Sequence, residues 1–443
     1  MNQNASNGAV ARLLKKTLRI EENEIAATLL AFLFVFILMT AYSILKPVRD
    51  ALAGDWGEVG LATTWTVNFV FSLVAVSVYG AVLSRFSFRY VVPAVYAFFS
   101  ATFLLLWAVT VTVAEPALFN KFFYVWVSVF SLFHLSVFWS FMADLFDKGQ
   151  AARLFGFIAA GTSLGAIVGP SLTVLLSGPL GNNGLMLASA AMLLVPIPII
   201  LVLERLRATR LGHPGGTRAA PGSQGLGRNP FSGFRLFFTH RFLLLIGLFI
   251  LLYVTISTFV YFELQNLTGE YGIDTRTQIW GTIELVTNAL TLLTAAFVTS
   301  HIVTRLGMPV ALGLMPALVA VGVLVLVAAP TLVALAAFQV LRRVGNYAIT
   351  RPSREMLFTV VSREARFKAK PVIDIVLYRG GDMLTAWVFT GLSTGLGLGL
   401  AGIAVVISLV AAAWTLVAVW LGRTFDRVTP EERADIEAAV KHA

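Results

Sequence analysis

Apolar runs of about twenty residues, parted by short polar breaks, recur twelve times between residues 25 and 422 of this 443-residue chain. An α-helix needs roughly 20 mostly apolar residues to cross the hydrocarbon of a bilayer. The windows fall at 25–45, 61–83, 91–113, 121–145, 156–178, 184–203, 242–265, 277–300, 309–328, 331–350, 371–394 and 400–421. The pattern predicts an all-α polytopic membrane protein with twelve transmembrane helices. The first run is followed by eleven more and has no small-residue cleavage site with a hydrophilic domain behind it, so it reads as a span and not as a removable signal.

The longest break, 204–241, contains HPGGTRAAPGSQGLGRNP, a Gly-, Pro- and Arg-rich stretch that reads as a flexible linker. It parts the chain into an N-terminal segment 1–24, a six-helix half 25–204, a linker 205–241, a second six-helix half 242–422 and a tail 423–443. Six plus six helices around a long basic loop is the layout of the major facilitator superfamily. Weak internal symmetry agrees. GAVLSRFSFRYVVP after the second span resembles that superfamily's Gly-x-x-x-Asp-Arg loop, with Ser84 at the Asp position, and TSHIVTRLGMPVAL follows the eighth. Gly161, Gly165 and Gly169 with Pro170, and Gly391, Gly395 and Gly399, recur at a spacing of four. Such stripes let helices pack closely or mark a hinge.

Composition sharpens this picture. Hydrophobic residues make up 58% of the chain and charged residues 13%, against about 25% charged in an ordinary soluble domain. The net charge of +10 suggests a nucleic-acid partner until the basic residues are placed. With the N-terminus inside, 26 Lys and Arg fall in the segments on that side, and three (Arg49, Lys121, Arg276) on the other. This positive-inside asymmetry predicts both termini in the cytoplasm and removes the need for nucleic acid; the expected location is a bacterial inner membrane. There is no cysteine, and His134 is the only histidine within a span. No metal or cofactor site is expected.

Charges inside a membrane segment are costly unless they face a cavity or a partner, so each is a candidate functional group. In TAYSILKPVRDALA, Tyr42, Lys46, Arg49 and Asp50 are three or four residues apart and share a helix face. Pro47 tends to push Lys46 out of helical geometry. Two cations together suit an anion such as phosphate; interfacial anchoring is the plainer alternative. The eighth span carries Gly281, Glu284, Asn288 and Thr291 as a polar stripe, with Asn68 and Ser72 of the second span as its counterpart. Glu284 reads either as a proton carrier or as the partner of a buried Arg. Arg342, Arg343 and Asn346 stand in the tenth span, and Asp374, Arg379 and Asp382 in the eleventh, where Arg379 and Asp382 can pair. At the cytoplasmic ends, Asp144, Asp147, Lys148 and Arg153, with Arg85 and Arg89, look like a salt-bridge gate. Arg351, Arg354 and Glu355 repeat the position in the second half.

Three stretches together resemble the nucleotide transporter family, the ATP/ADP translocases of plastids and intracellular bacteria. SILKPVRDAL is similar to that family's first-helix segment, with Arg49 standing where a functional Lys precedes Asp50. FWSFMADLFDKGQAARLFG is similar to its fourth-helix segment, with Asp144 in place of a functional Glu. RPSREMLFTVVSREARFKAKPVID matches through Lys368, Lys370, Ile373 and Asp374. Thr258 stands where an acidic residue is expected, and Glu263 lies a turn or more away. The resemblance implies a nucleotide-type antiporter on a major-facilitator-like fold.

The expected function is a secondary transporter of a small anionic, phosphate-bearing metabolite, worked by alternating access. Its binding residues would be Tyr42, Lys46, Arg49, Asn68, Glu284, Asn288, Arg343, Asn346, Arg379 and Asp382. Its gate would comprise Arg85, Arg89, Asp144, Arg354, Glu355, Lys368 and Lys370. The chain has no Gly-x-x-x-x-Gly-Lys-Ser/Thr loop for ATP hydrolysis. Two rivals stand beside it: a proton-coupled carrier of an uncharged or amphiphilic compound using Glu284 or Asp144, and a membrane-embedded lipid enzyme, for which no Asp or His cluster is evident. Membrane lipid and a small anion are the only partners expected.

Overall fold

The computed structural model describes residues 20–86, 88–113, 116–209, 211, 237–297, 299–328, 331–358, 360 and 372–427. Among these residues every regular element is helical. The helices are α1 (Ile25–Leu52), α2 (Gly57–Arg85), α3 (Phe88–Thr112), α4 (Ala117–Leu145), α5 (Lys148–Met192), α6 (Pro196–Thr209), α7 (Arg241–Thr268), α8 (Ile273–Phe297), α9 (Thr299–Ala328), α10 (Leu332–Gly345), α11 (Arg351–Leu357), α12 (Gly381–Thr390) and α13 (Leu400–Arg427). In lipid each backbone N–H and C=O must be satisfied within the protein, by a helix's own turns or between the strands of a closed barrel.

Nine stretches of the described residues are long and apolar enough to cross a membrane. One of them, Gly149–Thr209, is 61 residues long, enough for two crossings. It holds the fifth and sixth apolar windows, and its backbone breaks between them at Gly181 (φ 62°, ψ 179°), a conformation that a side chain would strain. The tenth and eleventh windows are helical too, but interrupted. α10 passes through a π-helical turn (Asn346–Thr350) into α11, and α12 is flanked by π-helical Val372–Gly380 and Gly391–Gly395. Twelve spans result. A π turn inserts a residue into the α repeat and is found most often at functional positions. Pro47 does not end α1, contrary to the sequence expectation: the helix runs on to Leu52. The lone missing N–H is tolerated in a segment clamped along its length by a neighbour.

Two compact units divide the chain. The first comprises Met1–Leu52, Phe71–Thr217 and Gly272–Leu285; the second comprises Ala53–Val70, Arg218–Tyr271 and Val286–Ala443. Close packing of α1 on α5 organises the first. A Cβ at Gly161 would stand 2.8 Å from the Phe32 carbonyl oxygen, one at Gly165 2.6 Å from that of Phe36, and one at Gly169 2.7 Å from that of Thr40. The first glycine stripe is therefore a packing surface rather than a hinge. Hydrogen bonds between helices add to it: Ser189 donates to the Ala41 carbonyl (2.7 Å), Ser100 to that of Ala190 (2.8 Å) and Tyr96 to that of His134 (2.9 Å).

In the second unit the tight pair is α9 with α13, where Gly422 lies against the backbone of Pro309. The second glycine stripe has no such role, because a Cβ at Gly391, Gly395 or Gly399 would meet nothing within 4 Å.

Candidate functional site

Within the first unit, α1 presents its polar groups to two neighbours. Lys46 donates to both carboxylate oxygens of Glu284 on α8, each at 2.9 Å, with the two side chains 19% and 9% exposed. One helical turn further on, the Arg49 guanidinium contacts Asp50 at 2.6 and 2.9 Å, donates to the Ser128 hydroxyl (3.2 Å) and lies 4.9 Å from the centre of the Tyr124 ring. Tyr42, a turn before Lys46, stacks on His134 with ring centres 4.2 Å apart. The shared face read from the spacing exists. Tyr42 and Arg49 look towards α4, while Lys46 looks towards α8.

The α8 stripe divides along its length. Gly281 packs on Val174 and Thr173 of α5, with a Cβ meeting them at 3.1 and 3.4 Å, and Thr277 donates to the Asn182 side chain at 2.7 Å. Glu284 is 7% exposed. Beyond it, in the second unit, Asn288 is half-buried, and the buried hydroxyls of Thr287 and Thr291 have no hydrogen-bond partner. On α2 the same holds of Asn68 Oδ1 and Ser72 Oγ, in residues 7% and 0% exposed. Buried polar atoms with no protein partner are uncommon in a finished core.

The second unit gathers arginines against tyrosines. Arg342 on α10 lies 5.6 Å from the Tyr253 ring centre, Arg343 5.6 Å from that of Tyr347, and Arg354 5.4 Å from that of Tyr378, whose hydroxyl it also reaches. Arg342, Arg343 and Asn346 are 3%, 7% and 8% exposed. Arg379, at the end of a π-helical segment, and Asp382 are half-buried. Asp382 accepts from the Thr258 hydroxyl at 3.5 Å, so the neutral group standing where the translocase resemblance places an acid faces a carboxylate.

The groups assigned to a gate are placed differently from one another. Asp144 binds Arg207 of α6 at 2.6 Å. Arg153 binds Glu24 at 2.8 Å and Glu21 at 3.4 Å. Asp147 caps α5, accepting from the Gln150 N–H (2.8 Å) while the Gln150 side chain accepts from the Asp147 N–H (3.1 Å). Arg354 contacts its neighbour Glu355 at 3.2 Å. The side chains of Arg85, Arg89, Lys148 and Asp374, and all of Lys368 and Lys370, lie outside the described residues.

Sequence reasoning missed Arg207, hidden among the basic residues of the loop count. It also missed a cluster on Glu58, whose carboxylate accepts from Asn266 (3.0 Å), Ser393 (2.8 Å) and Thr394 (2.8 Å). Only the position of Glu58 in the first turn of a span hinted at it. Among the described residues no group of three or more His, Cys, Asp or Glu could hold a metal ion.

Twelve helical spans with paired charges inside them admit several transporter architectures, and comparison with known families decides among them. The sequence profile of the Major Facilitator Superfamily matches residues 26–366. The chain belongs to the Major Facilitator Superfamily. Solved members of similar fold include the nucleoside transporter NupG, at 11% identity and a TM-score of 0.62, covering 92% of this chain and 100% of that one. Another is a bacterial homologue of the human lysosomal transporter Spinster in an inward-facing, unoccupied conformation, at 14% identity and a TM-score of 0.54, covering 93% and 100%. A search of curated proteins finds no match. As a major facilitator protein the chain is an integral membrane transporter with a small-molecule substrate. The superfamily leaves the substrate class open.

Proposed function

We propose that this major facilitator protein is a secondary transporter of a small anionic metabolite, phosphate-bearing and exchanged against a counter-substrate, with both termini in the cytoplasm of a bacterial cell. The observation that carries this reading is the Lys46–Glu284 pair, with Arg49–Asp50 a turn away on the same helix. Each cation is held by an internal carboxylate in a charge-assisted bond of the kind an oxyanion can replace. When a substrate phosphate takes Lys46 or Arg49, the displaced carboxylate is left without its counter-charge, so occupancy and helix contacts are coupled. The six-helix halves 25–204 and 242–422 are the moving bodies of this scheme, and Asp144 with Arg207 lies at the cytoplasmic end of the first.

The test is exchange in proteoliposomes preloaded with ADP, inorganic phosphate or a sugar phosphate and supplied with the same labelled anion outside. Preloading should accelerate uptake severalfold, and Lys46→Gln and Arg49→Gln should each reduce it by tenfold or more. Exchange in both variants equal to wild type would remove the anion site from α1.

The Glu284 contact also favours a second reading, in which protonation of Glu284 frees Lys46 and couples proton entry to movement of an uncharged substrate, as in a nucleoside carrier. Under an imposed pH gradient, Glu284→Gln should then abolish accumulation while leaving downhill flux. Full coupling retained in that variant sinks this version.

A further inference from the structure

Of the three arginines of the second unit that lie against tyrosines, Arg354 also contacts the Glu355 carboxylate, whereas the hydrogen-bond acceptor of Arg342 is neutral. Arg342 is 3% exposed, midway along a membrane span. Its guanidinium donates through Nε and Nη2 to one neutral acceptor, Gln339 Oε1 (3.2 and 2.6 Å), and rests on the Tyr253 ring. Nη1 is buried and has no hydrogen-bond partner. Among the described residues no carboxylate comes within ion-pair distance of it. A second orphan donor lies beside the same tyrosine. Trp414 on α13 is 1% exposed, its ring centre is 5.7 Å from that of Tyr253, and its indole Nε1 is likewise buried without a partner.

A permanently charged guanidinium in a membrane interior is normally matched by a counter-charge. A Trp N–H, a donor that cannot accept, normally finds a partner when buried. Here two unpartnered N–H groups, Arg342 Nη1 on a charged side chain and Trp414 Nε1 on a neutral one, flank one aromatic ring. We propose that Arg342 and Trp414, set around Tyr253, form an anion-binding subsite for an oxyanion group of the transported molecule, whose negative charge is the missing counter-ion of Arg342. This deepens the transport reading above by adding a contact to the substrate that does not depend on Lys46 or Arg49. The planar fork of Arg342 already spends two of its donors on Gln339, which fixes its orientation and leaves Nη1 for the ligand. Gln339 is thus a positioning residue.

The experiment is a thermal-shift titration of the purified full-length protein with inorganic phosphate, ADP and citrate, against choline chloride at equal ionic strength. At least one of the three anions should raise the melting temperature in a saturable way, since a ligand that prefers the folded form stabilises it. Arg342→Gln should weaken that apparent affinity by roughly ten- to a hundredfold. Trp414→Phe, which keeps an aromatic side chain but removes the N–H together with the five-membered part of the indole, should weaken it by a smaller factor, and Lys46→Gln should leave this contact in place.

Without anion, Arg342→Gln should melt no lower than wild type, because the substitution removes an uncompensated charge instead of a structural one. An unchanged titration in Arg342→Gln, or the absence of any anion-specific shift in wild type, would overturn the subsite. If Arg342→Gln fails to fold, Trp414→Phe decides alone: full wild-type affinity in that variant counts against the proposal. Wild-type exchange in Lys46→Gln and Arg49→Gln beside an anion titration that Arg342→Gln weakens would remove the α1 site and keep this one, and loss of exchange in those two variants beside a titration unchanged by Arg342→Gln would do the reverse.

Discussion

Removing either member of the Lys46–Glu284 pair takes the ion-pair partner from a largely buried charge, and that loss exceeds what the pair itself contributes. Breaking such a pair costs about 3 kcal/mol or more, whereas replacing both partners by neutral groups of like shape is far less costly. Lys46→Gln and Glu284→Gln should each lower the melting temperature clearly, and the double variant should recover most of the loss. A double variant as unstable as the sum of the singles would mean the two side chains are not coupled. The stripe of Glu284 and the cations of α1 were legible in the sequence because ionised residues are conspicuous in apolar windows. Their pairing was not. Nothing in the chain joins position 46 to position 284 except the fold, and the contacts of Glu58 with Asn266, Ser393 and Thr394 were invisible for the same reason.

Among the helices, spacing by four announced two glycine stripes, and only the fold separates them. At Gly165 even a methyl group would meet the Phe36 carbonyl oxygen at 2.6 Å, whereas Gly391 faces open space. Gly165→Ala should cost about 1–3 kcal/mol through forced separation of α1 from α5, and Gly391→Ala should be close to neutral in the same melting assay. Equal effects would refute the packing argument.

The start of α7 offers a second check. His240 is its N-cap residue, makes no side-chain cap bond, and burial holds its imidazole pKa below the usual 6.5. The unfolded chain therefore takes up the proton first on acidification. The contribution of His240 to stability is complete above pH 6.5 and is lost as pH falls towards the lowered folded value. His240→Asn should melt higher by an N-cap contribution of about 1 kcal/mol and lose less stability between pH 7.5 and 5.5 than wild type. An equal acid loss in both proteins would show that His240 is not the group responsible. The π-helical segments, one of which carries Arg379, could not have been read from a 3.6-residue period.

For the whole molecule, hydropathy and the distribution of basic residues were enough to count the spans and assign the fold, because the bilayer imposes one length and one kind of backbone on each segment. Substrate identity was not legible, because the superfamily's fold serves many cargoes and the decisive residues are few. Orientation can be checked directly, since the chain has no cysteine of its own. Ser223→Cys in the central loop should react with a membrane-impermeant maleimide only from the cytoplasmic side, and Glu270→Cys, exposed after α7, only from the opposite side. The reverse pattern would invert the topology.

The solitary guanidinium of Arg342 has an electrical consequence. An empty protein keeps a fixed positive charge part-way through the transmembrane field, where each elementary charge crossing the full field is worth about 2.3 kcal/mol per 100 mV, and a monovalent ligand cancels it. Voltage should therefore weigh on the unloaded turnover step and spare the loaded one, so current recordings on supported membranes would distinguish exchange from net uptake.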